Sequence, residues 1–219
     1  TGESNNRQTS SFGAGLYKTT DGGKSWAYLG LRETQSISRI VIDPRNPETV
    51  YLAANGHLFG PSADRGIYKS TDGGKTWNKV KFVDENTGCS GISMDKQDPR
   101  VLYAATWQVW MATWVMKSGG PGSGVWKSTD AGETWTRLTN GLPSQGVGKV
   151  DVAVAPSDGK RVYALMQTAD QGSVWRSDDA GATWKVWNWQ RPLIGRAPGP
   201  RCVYARMKPL STKNSVTAA

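Results

Sequence analysis

The sequence predicts an all-β protein, a β-propeller built from four-stranded antiparallel blades. Three observations carry that prediction. An octapeptide of pattern S/T-x-D-x-G-x-S/T-W occurs four times, ending at Trp26, Trp77, Trp135 and Trp184, so its copies stand 51, 58 and 49 residues apart. A repeat of that length marks stacked supersecondary units. A short aromatic-rich segment precedes each copy: Leu16-Tyr17-Lys18, Ile67-Tyr68-Lys69, Val125-Trp126-Lys127 and Val174-Trp175-Arg176. Composition agrees, because 11 Trp, 26 Gly and 11 Pro suit many short strands joined by tight turns.

The octapeptide has the chemistry of a hairpin turn. Asp21, Asp72, Asp130 and Asp179 can accept hydrogen bonds from nearby backbone N–H groups and close the loop. Gly23, Gly74, Gly132 and Gly181 supply a position free to take positive φ. The closing Trp opens the outgoing strand and offers a broad apolar face to a neighbouring sheet. The pattern matches the Asp-box, or bacterial neuraminidase repeat. Sialidases carry it, but the commoner reading is a structural staple.

Taken in order, residues 1–14 are polar and read as a loop. Leu16–Thr19 and Trp26–Leu29 form a hairpin around the first box. Ser38–Ile42, a Pro-flanked turn at Asp43–Pro47, Val50–Ala54, Ile67–Ser70 and Trp77–Val80 make a four-stranded unit. Gly91–Asp95, Val101–Ala105, Gly124–Ser128 and Trp135–Leu138 make the next. Val150–Val154, a turn at Pro156–Gly159, Val162–Leu165, Val174–Ser177 and Trp184–Trp187 make the third. Radial sheets of four strands are propeller blades. The expected division is a half-blade at 1–30, blades at 38–81, 89–138 and 148–188, and a degenerate start of a further blade with a disordered tail at 191–219. That is about three and a half blades, part of a larger propeller whose remaining blades are the expected partners.

Strand order places the Asp-boxes and the Pro-rich turns on one face. The loops between second and third strands, and those joining blades, collect on the other, among them long loops at Phe82–Ser90 and Thr106–Ser123. This loop-rich face carries the candidate ligand-binding residues Arg7, Arg32, Glu33, His57, Arg65, Glu85, Trp107 and Trp110. Polar groups among aromatics on a concave rim suit a peptide or a sugar. Trp107, Trp110 and Trp114 could stack on sugar rings, or pack beneath a long loop. Gly119–Gly124 is Gly-rich but lacks the Lys and following helix of a phosphate loop.

Several classes are set aside. The net charge of +9 is dispersed, with no long basic run, so nucleic-acid binding is not expected. No apolar run is long enough for a membrane span. Two cysteines, Cys89 and Cys202, and a single histidine, His57, give no metal-ligand spacing, so neither metal nor cofactor is expected. Pairing of Cys89 with Cys202 stays open. The chain starts at Thr1 without an apolar leader, which fits either a processed exported protein or an internal fragment.

Three further segments carry a resemblance. Gly2-Glu3-Ser4-Asn5-Asn6-Arg7, then Gly56-His57-Leu58-Phe59-Gly60-Pro61 with Asp64-Arg65-Gly66, and Gly119-Gly120-Pro121-Gly122-Ser123-Gly124 resemble the bacterial sortilin-type Asp-box propellers. The likeness covers roughly residues 2–187. Trp107-Gln108 is followed by Val109-Trp110-Met111 where that family tends to carry basic residues, which removes an anion-binding role from this loop. The resemblance implies an exported protein, extracellular or periplasmic, acting as a non-catalytic scaffold for a peptide or protein, with carbohydrate as a further ligand class. The alternative is a sialidase- or xyloglucanase-like glycoside hydrolase. That needs two carboxylates across the scissile bond. Glu3, Glu33, Asp64, Asp84, Glu85 and Asp170 lie on the loop-rich face and Asp151 on an innermost strand, but spacing picks out no pair. A sialidase would also gather arginines, for which Arg7, Arg32 and Arg65 come from successive blades.

Overall fold

The structure is a computed structural model and describes residues 2–189. Its strands form an arc of propeller blades. A two-stranded hairpin, β1 (Tyr17–Lys18) and β2 (Ala27–Tyr28), comes first. A sheet of β3 (Ile37–Ile42), β4 (Val50–Ala54), β5 (Gly66–Ser70) and β6 (Asn78–Lys81) follows in sequential antiparallel order. The next sheet holds β7 (Thr87–Met94), β8 (Leu102–Ala112), β10 (Gly124–Ser128) and β11 (Thr136–Leu138), with β9 (Val115–Ser118) paired to the far end of β8. The last sheet is β12 (Val150–Ala155), β13 (Asp158–Met166), β14 (Val174–Ser177) and β15 (Lys185–Asn188). The segment 191–219, expected as a degenerate blade start and tail, and Cys202 within it lie outside the described residues.

The cores sit between sheets. Tyr51, Ile67, Ile92 and Leu102 pack between the second and third units, and Tyr103, Val125, Val152 and Trp175 between the third and fourth. Each fully buried side chain of this size contributes about 1.5–3 kcal/mol relative to exposure. The first interface is thinner. Leu16, Ile37 and Leu52 pack with half-buried Leu29 and Trp77, while Trp26 is 61% exposed.

The Asp-box turns are built alike. In the second, Thr76 donates to the Asp72 carboxylate from N at 2.9 Å and from Oγ1 at 2.6 Å, Ser70 Oγ donates to it at 2.7 Å, and Gly74 N donates back to Ser70 Oγ at 2.8 Å. The other boxes repeat these bonds. The box glycines have φ of 90, 95, 85 and 87°. The residue before each is left-handed as well, including Ala131 and Ala180 at φ 59 and 57°. The sequence signals one left-handed position per turn; the structure has two, and alanine fills the first of them twice at some steric cost.

Three stretches differ from their predicted form. Thr106–Ser123, expected as a long loop, is largely a hairpin, in which β8 runs on to Ala112 and returns as β9. Alternate residues Trp107, Val109 and Met111 turn inward onto Leu58 and Met116, so the segment has a small core of its own. β7 begins at Thr87, inside the expected Phe82–Ser90 loop, because its early residues pair with Trp107 and Gln108 of that extension. The expected turn at Pro156–Gly159 tightens, and β13 already starts at Asp158. The two faces follow from hydrogen bonds. Gly73, Ala131 and Ala180 of the Asp-boxes donate to Glu48, Arg100 and Lys160 in the first-to-second-strand turns. Asn55, after β4, donates instead to Ser4 of the N-terminal loop at the opposite end.

Candidate functional site

The innermost strands β3, β7 and β12 bring a cluster to the arc's axis. β3 and β7 each carry a bulge, and the extra residue is a serine. Ser38 Oγ donates to Cys89 O at 2.7 Å and Ser90 Oγ to Val150 O at 2.6 Å, so each bulge ties its strand to the innermost strand of the next blade. Bulges re-aim the residues beside them. Next to these lie Arg39, Gly91 and Asp151, paired across their sheets with Ala53, Ala105 and Leu165. They hold the same position in three successive blades. The missing side chain at Gly91 lets Arg39 Nη2 reach Asp151 Oδ2 at 3.3 Å, for a Cβ on Gly91 would stand 2.2 Å from Asp151 Oδ1.

Lys149 lies two residues before Asp151, immediately ahead of β12. Its ammonium donates to Ser4 O at 3.1 Å, bonds Asn5 Oδ1, and sits 5.0 Å from the Trp107 ring centre. The Gly2–Arg7 segment thus closes over the cluster. Ser36 Oγ donates to Glu3 O at 2.7 Å and to Asn6 Oδ1 at 3.0 Å, and Asn55 Nδ2 donates to Ser4 O at 3.2 Å. Electrostatics follow from burial. Desolvation raises the Asp151 carboxyl above its ordinary value, opposed by Arg39, the Val152 N–H at 2.9 Å and Lys149. Desolvation pushes Lys149 down to about 8, opposed by Asp151. The result is a carboxyl of raised proton affinity between two cations, with 19% of its side chain open to solvent. A proton donor or an oriented hydrogen-bonding pair is what such an arrangement supplies.

The sequence candidates are dispersed. Arg7 is exposed, 4.0 Å from Glu3. Arg32 and Glu33 are exposed in a 3-10 turn, Arg32–Thr34. His57 Nδ1 is 2.6 Å from Phe59 O, and exposed Glu85 lends its carbonyl to Ser62 N. Arg65 is not on an open face. It is 1% exposed, its Nη2 donates to His57 O and Gly60 O, and its Nε and Nη1 are buried without partners. Gly56 packs directly against it, since a Cβ there would stand 2.6 Å from Arg65 Cγ. Trp107 is 2% exposed and its indole N–H donates to Ser118 Oγ, so it supports the site from beneath; Trp110 and Trp114 are 43% and 81% exposed. Gly119–Gly124 is likewise structural: Gly122 N donates to Gln108 Oε1, and Arg137 binds Pro121 O and Ser123 O. A separate, mostly apolar cleft of about 200 Å³ beside Arg137, Leu142 and Met166 is small for a ligand site. Arg39, Gly91 and Lys149 were not singled out from sequence. Aligning the inner strands would find the first two, because they share a repeat position with Asp151.

The BNR/Asp-box repeat model matches residues 68–79. Xyloglucanase Xgh74A of Acetivibrio thermocellus is 31% identical over 118 residues, half of this chain and 12% of its own length. Vacuolar protein sorting/targeting protein 10 of Colletotrichum graminicola is 28% identical over 90 residues, 41% of this chain and 5% of its own length. Among solved structures, the GH74 enzyme of Niastella koreensis superposes with a TM-score of 0.60 at 25% identity, over 78% of this chain and 26% of that one. The chain therefore spans a small part of each relative. These neighbours share its propeller fold, and no helix among the described residues is long and apolar enough to cross a membrane.

Proposed function

We propose that this chain is an arc of an extracellular, carbohydrate-active propeller of the glycoside-hydrolase kind, acting on a β-glucan such as xyloglucan. From sequence alone a non-catalytic peptide scaffold ranks first; similarity to xyloglucanases over half the chain favours the hydrolase instead. The observation that carries the reading is Asp151, a largely buried carboxyl of raised proton affinity at the mouth of the axis. Glycoside hydrolysis needs such a group to protonate the leaving oxygen. Arg39 pairs with it and can hydrogen-bond sugar hydroxyls, while exposed Trp110 and Trp114 offer flat faces for pyranose rings. The charges acting on Asp151 are both cations, and hydrolysis needs a second carboxylate across the scissile bond.

The test is release of reducing ends from xyloglucan by the natural full-length protein. Asp151→Asn should lower turnover by at least about 100-fold, the low end of what a general acid contributes, while the protein still unfolds cooperatively. Unchanged turnover would reject the assignment. A second reading, peptide binding at the same mouth, is favoured by the likeness to vacuolar protein sorting/targeting protein 10. Saturable binding of peptides with no turnover of any glucan would support it.

A further inference from the structure

Lys149 carries a nucleophile that glycoside hydrolysis leaves idle. Backbone carbonyls hold the ammonium groups of Lys18 and Lys127, at Gly73 O and Ala180 O. Lys149 differs, because its Nζ donates to the side-chain amide of Asn5, at Oδ1, as well as to Ser4 O. An amide carbon is open to attack by an amine, and a side-chain amide can lose its nitrogen without breaking the chain. Asn5 Cγ stands one C=O bond, about 1.2 Å, from the atom that Nζ already contacts. The two residues are 144 positions apart, so the fold makes the contact.

Asn5 is held at the amine from both sides. Ser4 O accepts from Asn55 Nδ2 at 3.2 Å, and buried Asn6 accepts from Ser36 Oγ at 3.0 Å. Further out, Glu3 N donates to Ser11 O at 3.1 Å and Ser10 N to Arg7 O at 3.0 Å. Groups fixed in contact react as if at very high concentration. The lysine is prepared too. Buried Trp107 stands with its ring centre 5.0 Å from Nζ, and desolvation holds Lys149 at about 8. Roughly a tenth of the amine is then neutral at pH 7, and a desolvated lysine is an activated nucleophile. Asp151 is the carboxyl whose charge acts on Lys149, and burial raises its own proton affinity. A carboxyl of that kind can take up a proton and return it.

We infer that Lys149 and Asn5 join in an intramolecular isopeptide bond. Neutral Lys149 Nζ attacks Asn5 Cγ, and the new C–N bond forms as the C=O electron pair moves onto Oδ1. One Nζ proton passes by way of Asp151 to Nδ2. The C=O then re-forms, the Cγ–Nδ2 bond breaks and ammonia leaves. One amide replaces another, so the step needs no oxidant or reductant. The bond staples the Gly2–Arg7 cover to the start of β12 across the arc. It also removes one of the two cations that lower the Asp151 carboxyl, leaving Arg39.

Mass spectrometry of the natural full-length protein, denatured and cut with trypsin and a glutamate-specific protease, tests this. The expected product is Ser4–Arg7 joined to Leu138–Lys160, uncut at Lys149 and lighter than the two peptides together by one ammonia. Fragment ions should place the link at Asn5 and Lys149. Lys149→Arg keeps the positive charge, and Asn5→Ala alters an exposed residue. Each should release the first peptide unjoined from a protein that still unfolds cooperatively. Asp151→Asn should leave that peptide mostly unjoined as well; undiminished joining there would overturn the proton path. Separate Ser4–Arg7, Leu138–Lys149 and Val150–Lys160 peptides from the native protein would show a hydrogen bond only and overturn the inference. So would a joined peptide that survives Lys149→Arg.

Discussion

Gly91→Ala probes the axial cluster with one methyl group. Gly91 has no positive φ, so alanine suits its backbone and the effect isolates the space between Arg39 and Asp151. The added Cβ would stand 2.2 Å from Asp151 Oδ1, against roughly 3.5–4 Å for an ordinary contact. The carboxylate must retreat by more than an ångström, and the 3.3 Å contact with Arg39 opens. Overpacking a fixed site costs about 1–3 kcal/mol. The ion pair adds about 1 kcal/mol at most, because the Arg39 side chain is 47% exposed and screened. The expected loss is about 1–4 kcal/mol, read by urea denaturation at neutral pH. The decisive comparison is a double-mutant cycle with Asp151→Ala, which removes the obstructed atoms. Gly91→Ala should then cost less than about 0.5 kcal/mol. Equal costs in both backgrounds would refute the geometry.

Three further outcomes follow from the same structure. Trp107→Ala should destabilise by about 3–5 kcal/mol in urea unfolding, whereas Trp110→Ala, at 43% exposure, should cost less than about 1 kcal/mol and act on glucan binding instead. Ala131→Gly should raise stability by roughly 0.5–1 kcal/mol, since the left-handed φ of 59° strains alanine more than glycine. The Asp-box carboxylates set an acid limit. Hydrogen bonds from Thr134 and Thr183 hold Asp130 and Asp179 at about 2, and those from Ser25 and Thr76 hold Asp21 and Asp72 lower still. A depressed carboxylate contributes fully above its unfolded value near 3.9 and loses that contribution as pH falls through the folded value. Melting temperature should therefore fall between about pH 4 and pH 2, and a Thr76→Val variant should show a shallower fall.

The blades were legible because their signals are local. Each Asp-box holds its turn with bonds spanning four residues or fewer, and period-two strands such as Val150–Val154 announce a buried face within one short window. The β8–β9 extension was missed because its core partner, Leu58, lies in the preceding blade, and aromatic residues such as Trp110 and Trp114 suit a binding loop equally well. The candidate site was least legible. Arg39 and Asp151 are 112 residues apart and meet only because Gly91 leaves room, a relation no window contains. Arg65 misled in the opposite direction, since a charged residue in a Gly- and Pro-rich loop reads as exposed until its loop is seen wrapped around it. The Gly2–Arg7 segment was noticed as a motif, but its role as a cover over Lys149 rests on contacts across the whole arc.

The most direct test is to titrate a xyloglucan oligosaccharide into the isotope-labelled chain and follow its backbone amides by NMR. Shifts centred on Arg39, Gly91 and Asp151, and lost in Asp151→Asn, are the expected result. Shifts confined to the 55–66 loop, or none at saturating sugar, would contradict an axial carbohydrate site.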